Sequence, residues 1–332
     1  MALFCSVLAV LLVTAATLGF PRVGAASHSG SRVKTVSRHS TAGAVGVGSR
    51  VTVTPLATLV SAVSASAAVR LGSSGALFFG GLDSAATPLD AVQSFDGTST
   101  GSVGQLPIPL AGSGAAQLGS QIYLFGGTDT NPTSAILMLT SGGANPTNVG
   151  QLPQPTADAA VAVVGHTAYV IGGYSGTSDL DSIVSYSPTA GTNSVATLPQ
   201  PLAQAAAVAL GGSIYIVGGS DDGAASKAIY RFDPTTHAVS KLGTLPVALQ
   251  QAAVASIARQ IIVLGGQGSA SGSQTNAVYS IKPDDGRVTR VGTLPLQLAG
   301  AVAVSLSGEI LLAGGAETSG QASSEIYAIT TA

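Results

Sequence analysis

Short apolar runs of four to seven residues recur along most of the chain, each cut off from the next by small or polar residues. Residues 199–246 show the order clearly. QAAAVAL at 204–210 is followed by a Gly211-Gly212-Ser213 break, and IYIV at 214–217 by the polar stretch SDDGAASK. AIYRF at 228–232 then meets the turn sequence Asp233-Pro234-Thr235-Thr236, and AVSKL at 238–242 closes the unit before Leu245-Pro246. Runs this short, rich in branched and aromatic residues and bounded by Gly, Pro, Asp and Ser, predict four strands in an antiparallel meander.

The same order repeats on a fixed beat. Gly80-Gly81 returns as Gly126-Gly127, Gly172-Gly173, Gly218-Gly219, Gly265-Gly266 and Gly314-Gly315, at intervals of 46, 46, 46, 47 and 49 residues. Leu-Pro pairs at 106, 152, 198, 245 and 294 keep that beat. Units of this length bury their apolar faces only against neighbours. Six of them predict an all-β fold: a six-bladed β-propeller of four-stranded antiparallel blades over residues 50–332.

The kinds of apolar residue refine the placement. First strands are Ala-rich (Ala159-Ala160-Val161-Ala162, Ala205-Ala206-Ala207-Val208), as strands converging near an axis require. Second strands are bulkier (Ile122-Tyr123-Leu124-Phe125, Ile261-Ile262-Val263-Leu264), as expected between packed blades. The last unit ends after its third strand, whereas residues 50–59 resemble the fourth strand of the fifth unit. Residues 51–57 are therefore expected to supply the outermost strand of the sixth blade, where Pro55 costs no ladder bond.

A Gly pair after an apolar strand, with an aromatic 11–14 residues later (Phe95, Tyr186, Tyr230, Tyr279, Tyr327; Met138 in the second unit), resembles the Kelch repeat. The resemblance covers residues 50–332 and extends to the Kelch repeats of the galactose oxidase central domain. It implies a propeller that presents binding loops. One departure is the absence of Trp, usual in the fourth Kelch strand. The copper chemistry of galactose oxidase needs a Tyr–Cys cross-link, and the sole cysteine here is Cys5, outside the repeats.

Composition changes this picture at the N-terminus. Residues 2–20 are nearly all apolar and are followed by small residues at 24–27, so residues 1–26 read as a signal peptide or a membrane anchor, and residues 2–20 as a possible tether. Residues 27–49, rich in Ser, Gly and Ala and basic, read as a flexible linker. Export is expected, with a secreted or membrane-anchored body outside the cytoplasm. Beyond residue 70 the chain has 7 basic against 15 acidic residues, which argues against nucleic acid as a partner.

No catalytic set is legible. His166 and His237 fall in turns, and no Ser-His-Asp order or phosphate-binding glycine loop can be built. No cofactor and no metal is expected; Asp179-Leu180-Asp181 and Asp221-Asp222-Gly223 offer oxygen ligands at spacings unlike a known calcium loop. The loops between second and third strands share a rim with the connections between blades. Candidate binding residues there are Asp129, Asp158, Tyr174, Asp179, Asp181, Gln204, Asp221, Asp222 and Gln251, and Tyr174 offers a stacking face. The expected function is an extracytoplasmic interaction module for a protein or glycan. Two alternatives stand beside it: a carbohydrate-active enzyme using the axial pocket, and a structural envelope protein without a discrete ligand.

Overall fold

The computed structural model describes residues 50–140 and 146–331; the signal or anchor expected in 1–26 and the linker expected in 27–49 lie outside them. Six four-stranded sheets and one two-stranded hairpin hold the strands of the described residues. In chain order of their first strands, blade 1 comprises Ala67–Leu71, Gly75–Phe79, Ala91–Phe95 and Thr100–Gln105, and blade 2 Gly114–Leu118, Gln121–Phe125, Ala135–Thr140 and Thr147–Gln151. Blade 3 comprises Ala160–Val164, Thr167–Ile171, Ser182–Ser187 and Gly191–Thr197. Blade 4 comprises Ala206–Leu210, Ser213–Val217, Ala228–Asp233 and Ala238–Thr244. Blade 5 comprises Ala253–Ile257, Gln260–Leu264, Ala277–Ile281 and Val288–Thr293, and blade 6 Val302–Ser305, Ile310–Ala313 and Glu325–Thr331, completed by Val51–Thr58. No helix long and apolar enough to cross a membrane occurs among the described residues.

The ring closes as the sequence predicts. Val51–Thr58 pairs antiparallel with Glu325–Thr331, setting Val53 opposite Ile329 and Pro55 opposite Tyr327. Both ends of the propeller therefore lie in one sheet, and first strands touch their neighbours around the whole cycle, blade 6 against blade 1 included. Every outer strand carries a register shift at the same place, leaving Leu56, Val103, Val149, Val195, Leu242 and Val291 as the unpaired bulge residues.

The core is six layers between adjacent blades. Between blades 3 and 4, for example, Tyr169, Ile171 and Ile183 meet Ile214, Ile216 and Phe232. The aromatics of the repeat do not all share one register position. Tyr230, Tyr279 and Tyr327 occupy one register position, but Phe95 and Tyr186 sit two residues further along their strands, level with Phe232. From there Tyr186 packs on Tyr123 and Phe125 of the preceding blade, at ring centroid distances of 5.3 and 5.4 Å. Loops of unequal length between the Gly pair and the third strand hid this shift from a residue count.

The Gly pairs join each blade to the next. Gly172 and Gly173 have φ of 61° and 106°, and the Gly173 N–H donates to Leu202 O (2.9 Å) in the connection leading to blade 4. A Cβ on Gly172 would sit inside the van der Waals radius of that same carbonyl, so only glycine fits. All six pairs make the equivalent bond.

Candidate functional site

At the rim where second strands end, six residues on the repeat beat form a closed ring of backbone hydrogen bonds. Gly112 N–H donates to Ala65 O (2.9 Å), Asp158 to Gly112 O (2.7 Å), and Gln204 to Asp158 O (2.8 Å). Gln251 then donates to Gln204 O (3.0 Å), Gly300 to Gln251 O (2.8 Å), and Ala65 to Gly300 O (2.8 Å). All six are left-handed, with φ between 49° and 64°. Four are not glycine, and each such residue carries strain on the order of 1–3 kcal/mol that the surrounding bonds must offset. The cycle encircles the propeller axis and ties each blade to both neighbours.

A second set of contacts fixes the loops to this ring. The residue before each ring position bridges to the residue after each Gly pair: Ser64 to Leu82, Ala111 to Thr128, Ala157 to Tyr174, Ala203 to Ser220, Gln250 to Gln267 and Ala299 to Ala316. In blade 3 the bridge is reciprocal, Ala157 N–H to Tyr174 O (2.9 Å) and Tyr174 N–H to Ala157 O (2.7 Å). The loops between second and third strands are thus fastened at their roots, which makes the rim a preorganised surface.

Three of the nine candidate residues, Asp158, Gln204 and Gln251, occupy consecutive ring positions. Gln204 Nε2 donates to Asp158 Oδ2 at 3.4 Å, a long bond. Asp158 Oδ1 lies against Gly112, where any Cβ would displace it. Loss of water raises the Asp158 carboxyl to about 6, opposed by the Gln204 bond and reinforced by the Asp179 charge. Gln251 Oε1 accepts from Gln267 Nε2 (3.0 Å), and Gln267 in turn is bridged to Gln274.

The loops of blades 3 and 4 hold four more. Asp179 Oδ2 accepts the Asp222 N–H across the blade boundary at 2.8 Å. Burial first, and the neighbouring Asp221 and Asp222 charges after it, push the Asp179 carboxyl up, against that hydrogen bond. Asp221 stands in a small hairpin, Ser220–Asp221 with Ala224–Ala225, and Tyr174 donates its hydroxyl to Gly176 O (2.7 Å). The remaining two lie apart. Asp129 is exposed in blade 2, where the Thr130 and Asn131 N–H groups bond its Oδ1 and hold its pKa down. Asp181 is exposed just ahead of the third strand of blade 3, its carbonyl taking the Leu198 N–H (2.7 Å).

Among the described residues the loop chemistry of this rim is one-signed: nine acidic residues against Lys227, whose Nζ donates to Pro246 O (3.2 Å). His166 and His237 sit in turns at the opposite rim. Among the described residues, no three His, Cys, Asp or Glu side chains assemble a metal site. Sequence reasoning missed Ala65, Gly112 and Gly300 as ring partners, and Gln267 and Gln274 beside Gln251. The signal for the first three was present, because the ring residues themselves recur every 46 to 49 residues.

Comparison with known proteins agrees with the geometry. The Kelch motif matches residues 155–197 and 201–246, which contain blades 3 and 4. No curated protein sequence matches the chain. The solved structure of YjhT superposes with a TM-score of 0.73 at 16% identity, over 83% of this chain and 99% of that one, a likeness of fold. The chain is a six-bladed propeller in which the Kelch motif is matched in two consecutive blades.

Proposed function

We propose that this propeller is an interaction module, exported from the cytoplasm, that seats a protein or glycan on the rim formed by the loops after its Gly pairs. One observation carries the reading: the closed ring and its six bridges hold the rim rigid while its Asp, Gln and Tyr side chains remain partly accessible. A surface fixed before contact loses little entropy on binding, which is the use such loops find on rigid scaffolds. Kelch propellers commonly serve as protein-interaction modules, and the matched blades 3 and 4 are those that carry Tyr174, Asp179 and Asp222.

A glycan array and a pull-down with the purified chain test the reading. Tyr174→Ala and Asp179→Asn are expected to reduce capture of the ligand at least tenfold with melting unchanged. Capture that survives both substitutions removes this rim from consideration. The enzyme alternative has a specific foothold in Asp158, a carboxyl poised near pH 6 beside the axis and suited to proton transfer. Turnover of a glycoside that is lost in Asp158→Asn would favour it. Export is tested separately, by locating the full-length chain in fractionated cells.

A further inference from the structure

The axial ring is one-sided. Asp158, Gln204 and Gln251 supply hydrogen-bonding side chains on three successive positions, while Gly300, Ala65 and Gly112 supply none on the other three. A ring built only to close the propeller has no use for that difference, since Ala65 holds the same left-handed backbone with a methyl group. The polar arc also has unspent capacity. Among the described residues Asp158 Oδ1 accepts no hydrogen bond, and its Oδ2 has only the long one from Gln204. Gln251 uses its Oε1, leaving its amide N–H groups without an acceptor. Two strands away, the Gln274 Oε1 is buried without a donor, although its Nε2 reaches Glu317 O (3.3 Å).

The charges around Asp158 do not offset its own. The connection ahead of blade 2 brings Gly112, that ahead of blade 4 brings Gln204, and the loop of its own blade brings Asp179, itself tied to Asp222. Among the described residues no Lys or Arg pairs with it, and the one ion pair, Lys282 with Asp285, belongs to a turn between third and fourth strands. A carboxylate drawn partly out of water and left without a counterion is costly. A ligand cation would relieve that cost, whereas an anionic sugar would meet nine rim carboxyls.

We infer that the arc of Asp158, Gln204 and Gln251 is a recognition site for a primary ammonium group, with Asp158 as its counterion and Gln204 Oε1 as the flanking acceptor. The inference rests on the rim being a binding surface and names what that surface takes. The ammonium can come from a peptide lysine or from a free amine. An ammonium has three donors, which matches the open acceptors of Asp158 and the Oε1 of Gln204.

Calorimetric titration of the full chain with an N-acetylated lysine peptide, its side-chain-acetylated counterpart, cadaverine and a neutral methyl glycoside decides the matter. The lysine peptide is expected to bind at pH 7.5 at least tenfold more tightly than its acetylated form and at least tenfold more tightly than at pH 5, where Asp158 is protonated. Cadaverine binding as well as the peptide assigns the source to a free amine; weaker cadaverine binding assigns it to a peptide. Asp158→Asn should abolish both, since Asn accepts this backbone. Asp158→Ala serves as a second variant, because Ala65 shows that alanine holds the ring. Gln204→Ala, which removes the open acceptor, should weaken binding severalfold. Equal affinity for the acetylated peptide, preference for the neutral glycoside, or full binding by either Asp158 variant overturns the inference. If no amine binds while Tyr174→Ala still abolishes capture of another ligand, the ammonium site falls and the rim stands. If capture also survives the rim substitutions, both fall.

Discussion

Blades 3, 4 and 5 differ from blades 6, 1 and 2 at both ends of the radius. On the axis, the first group contributes Asp158, Gln204 and Gln251 to the ring, and the second Gly300, Ala65 and Gly112. At the circumference, the bulge residues of the first group, Val195, Leu242 and Val291, pack against the neighbouring blade, with Val291 only 9% exposed. Those of the second group, Leu56, Val103 and Val149, are 43%, 41% and 42% exposed. The reason lies in the neighbour. Val239, Val288 and Val51 join the cores between blades 3 and 4, 4 and 5, and 5 and 6, whereas the facing ends of the outer strands of blades 1, 2 and 3 offer Thr, Gly, Ser and Asn. Sixfold backbone geometry therefore coexists with a twofold division of side chains. The backbone ring satisfies closure, and side chains not needed for closure are where a function can be written.

The largest effect should come from breaking what the two groups share. Deleting residues 50–60 removes the strand Val51–Thr58 and leaves Glu325–Thr331 as a bare edge. The loss should be on the order of 4 kcal/mol or more, lowering Tm by roughly 10 °C in calorimetry, whereas deleting 27–45 should leave Tm unchanged. Equal melting of the two truncations contradicts closure through the N-terminal strand. Next comes the Gly pair. Gly172→Ala in one group and Gly126→Ala in the other both place a Cβ against a connecting carbonyl at positive φ, and each should cost roughly 2–4 kcal/mol. Gly211→Ala, also left-handed but with open space around it, should cost about 1 kcal/mol. Unequal costs at Gly172 and Gly126 would mean that the division reaches the backbone as well.

The shared features were legible in the sequence because they repeat. Six Gly pairs and the resemblance of residues 50–59 to a missing fourth strand are each required by the backbone, so they appear in every unit or at the one gap. The ring was only half legible. Asp158, Gln204 and Gln251 stand out as polar residues, but Ala65, Gly112 and Gly300 carry no chemistry to draw the eye, and only their spacing betrays them. The spacing of the aromatics does not fix their register, for a related reason. Tyr186 and Tyr279 both lie 13 residues past their Gly pairs, yet the loop before Tyr279 is longer, so the same count lands on different rungs of the ladder. Whether a bulge valine is covered depends on the facing strand of another blade, which no local pattern encodes.

Asp158 separates the groups by pH. Its carboxyl is raised in the folded chain, so the native state holds the proton more tightly than the unfolded one, and stability falls as pH rises from about 4 to about 6. Asp96, Asp233 and Asp285, held low mainly by backbone N–H bonds in turns, act in the opposite sense: their contribution is present above about pH 4 and is lost below it. Urea unfolding of the wild type and Asp158→Asn between pH 4 and 8 should therefore diverge through pH 4–6. The variant should gain up to about 2 kcal/mol and then hold a constant lead above pH 7. Parallel curves would mean that the arc is not desolvated and that the axial difference between the two groups has no electrostatic content.

The smallest effect tests the circumference. Val291 packs in the core between blades 5 and 6, where Gly292 leaves no room for a side chain beside Val51. Truncating Val291 to Ala deletes buried methyl groups and should cost about 1 kcal/mol. Val149→Ala removes the same atoms from the same bulge in blade 2, but they already face water, and the cost should stay under about 0.5 kcal/mol. The two substitutions are chemically identical and topologically equivalent, so any difference in unfolding free energy isolates the neighbouring strand as its cause. Should Val149→Ala cost as much as Val291→Ala, the exposed flank of blades 6, 1 and 2 would have to be covered in solution, and the division of the propeller would end at the axis.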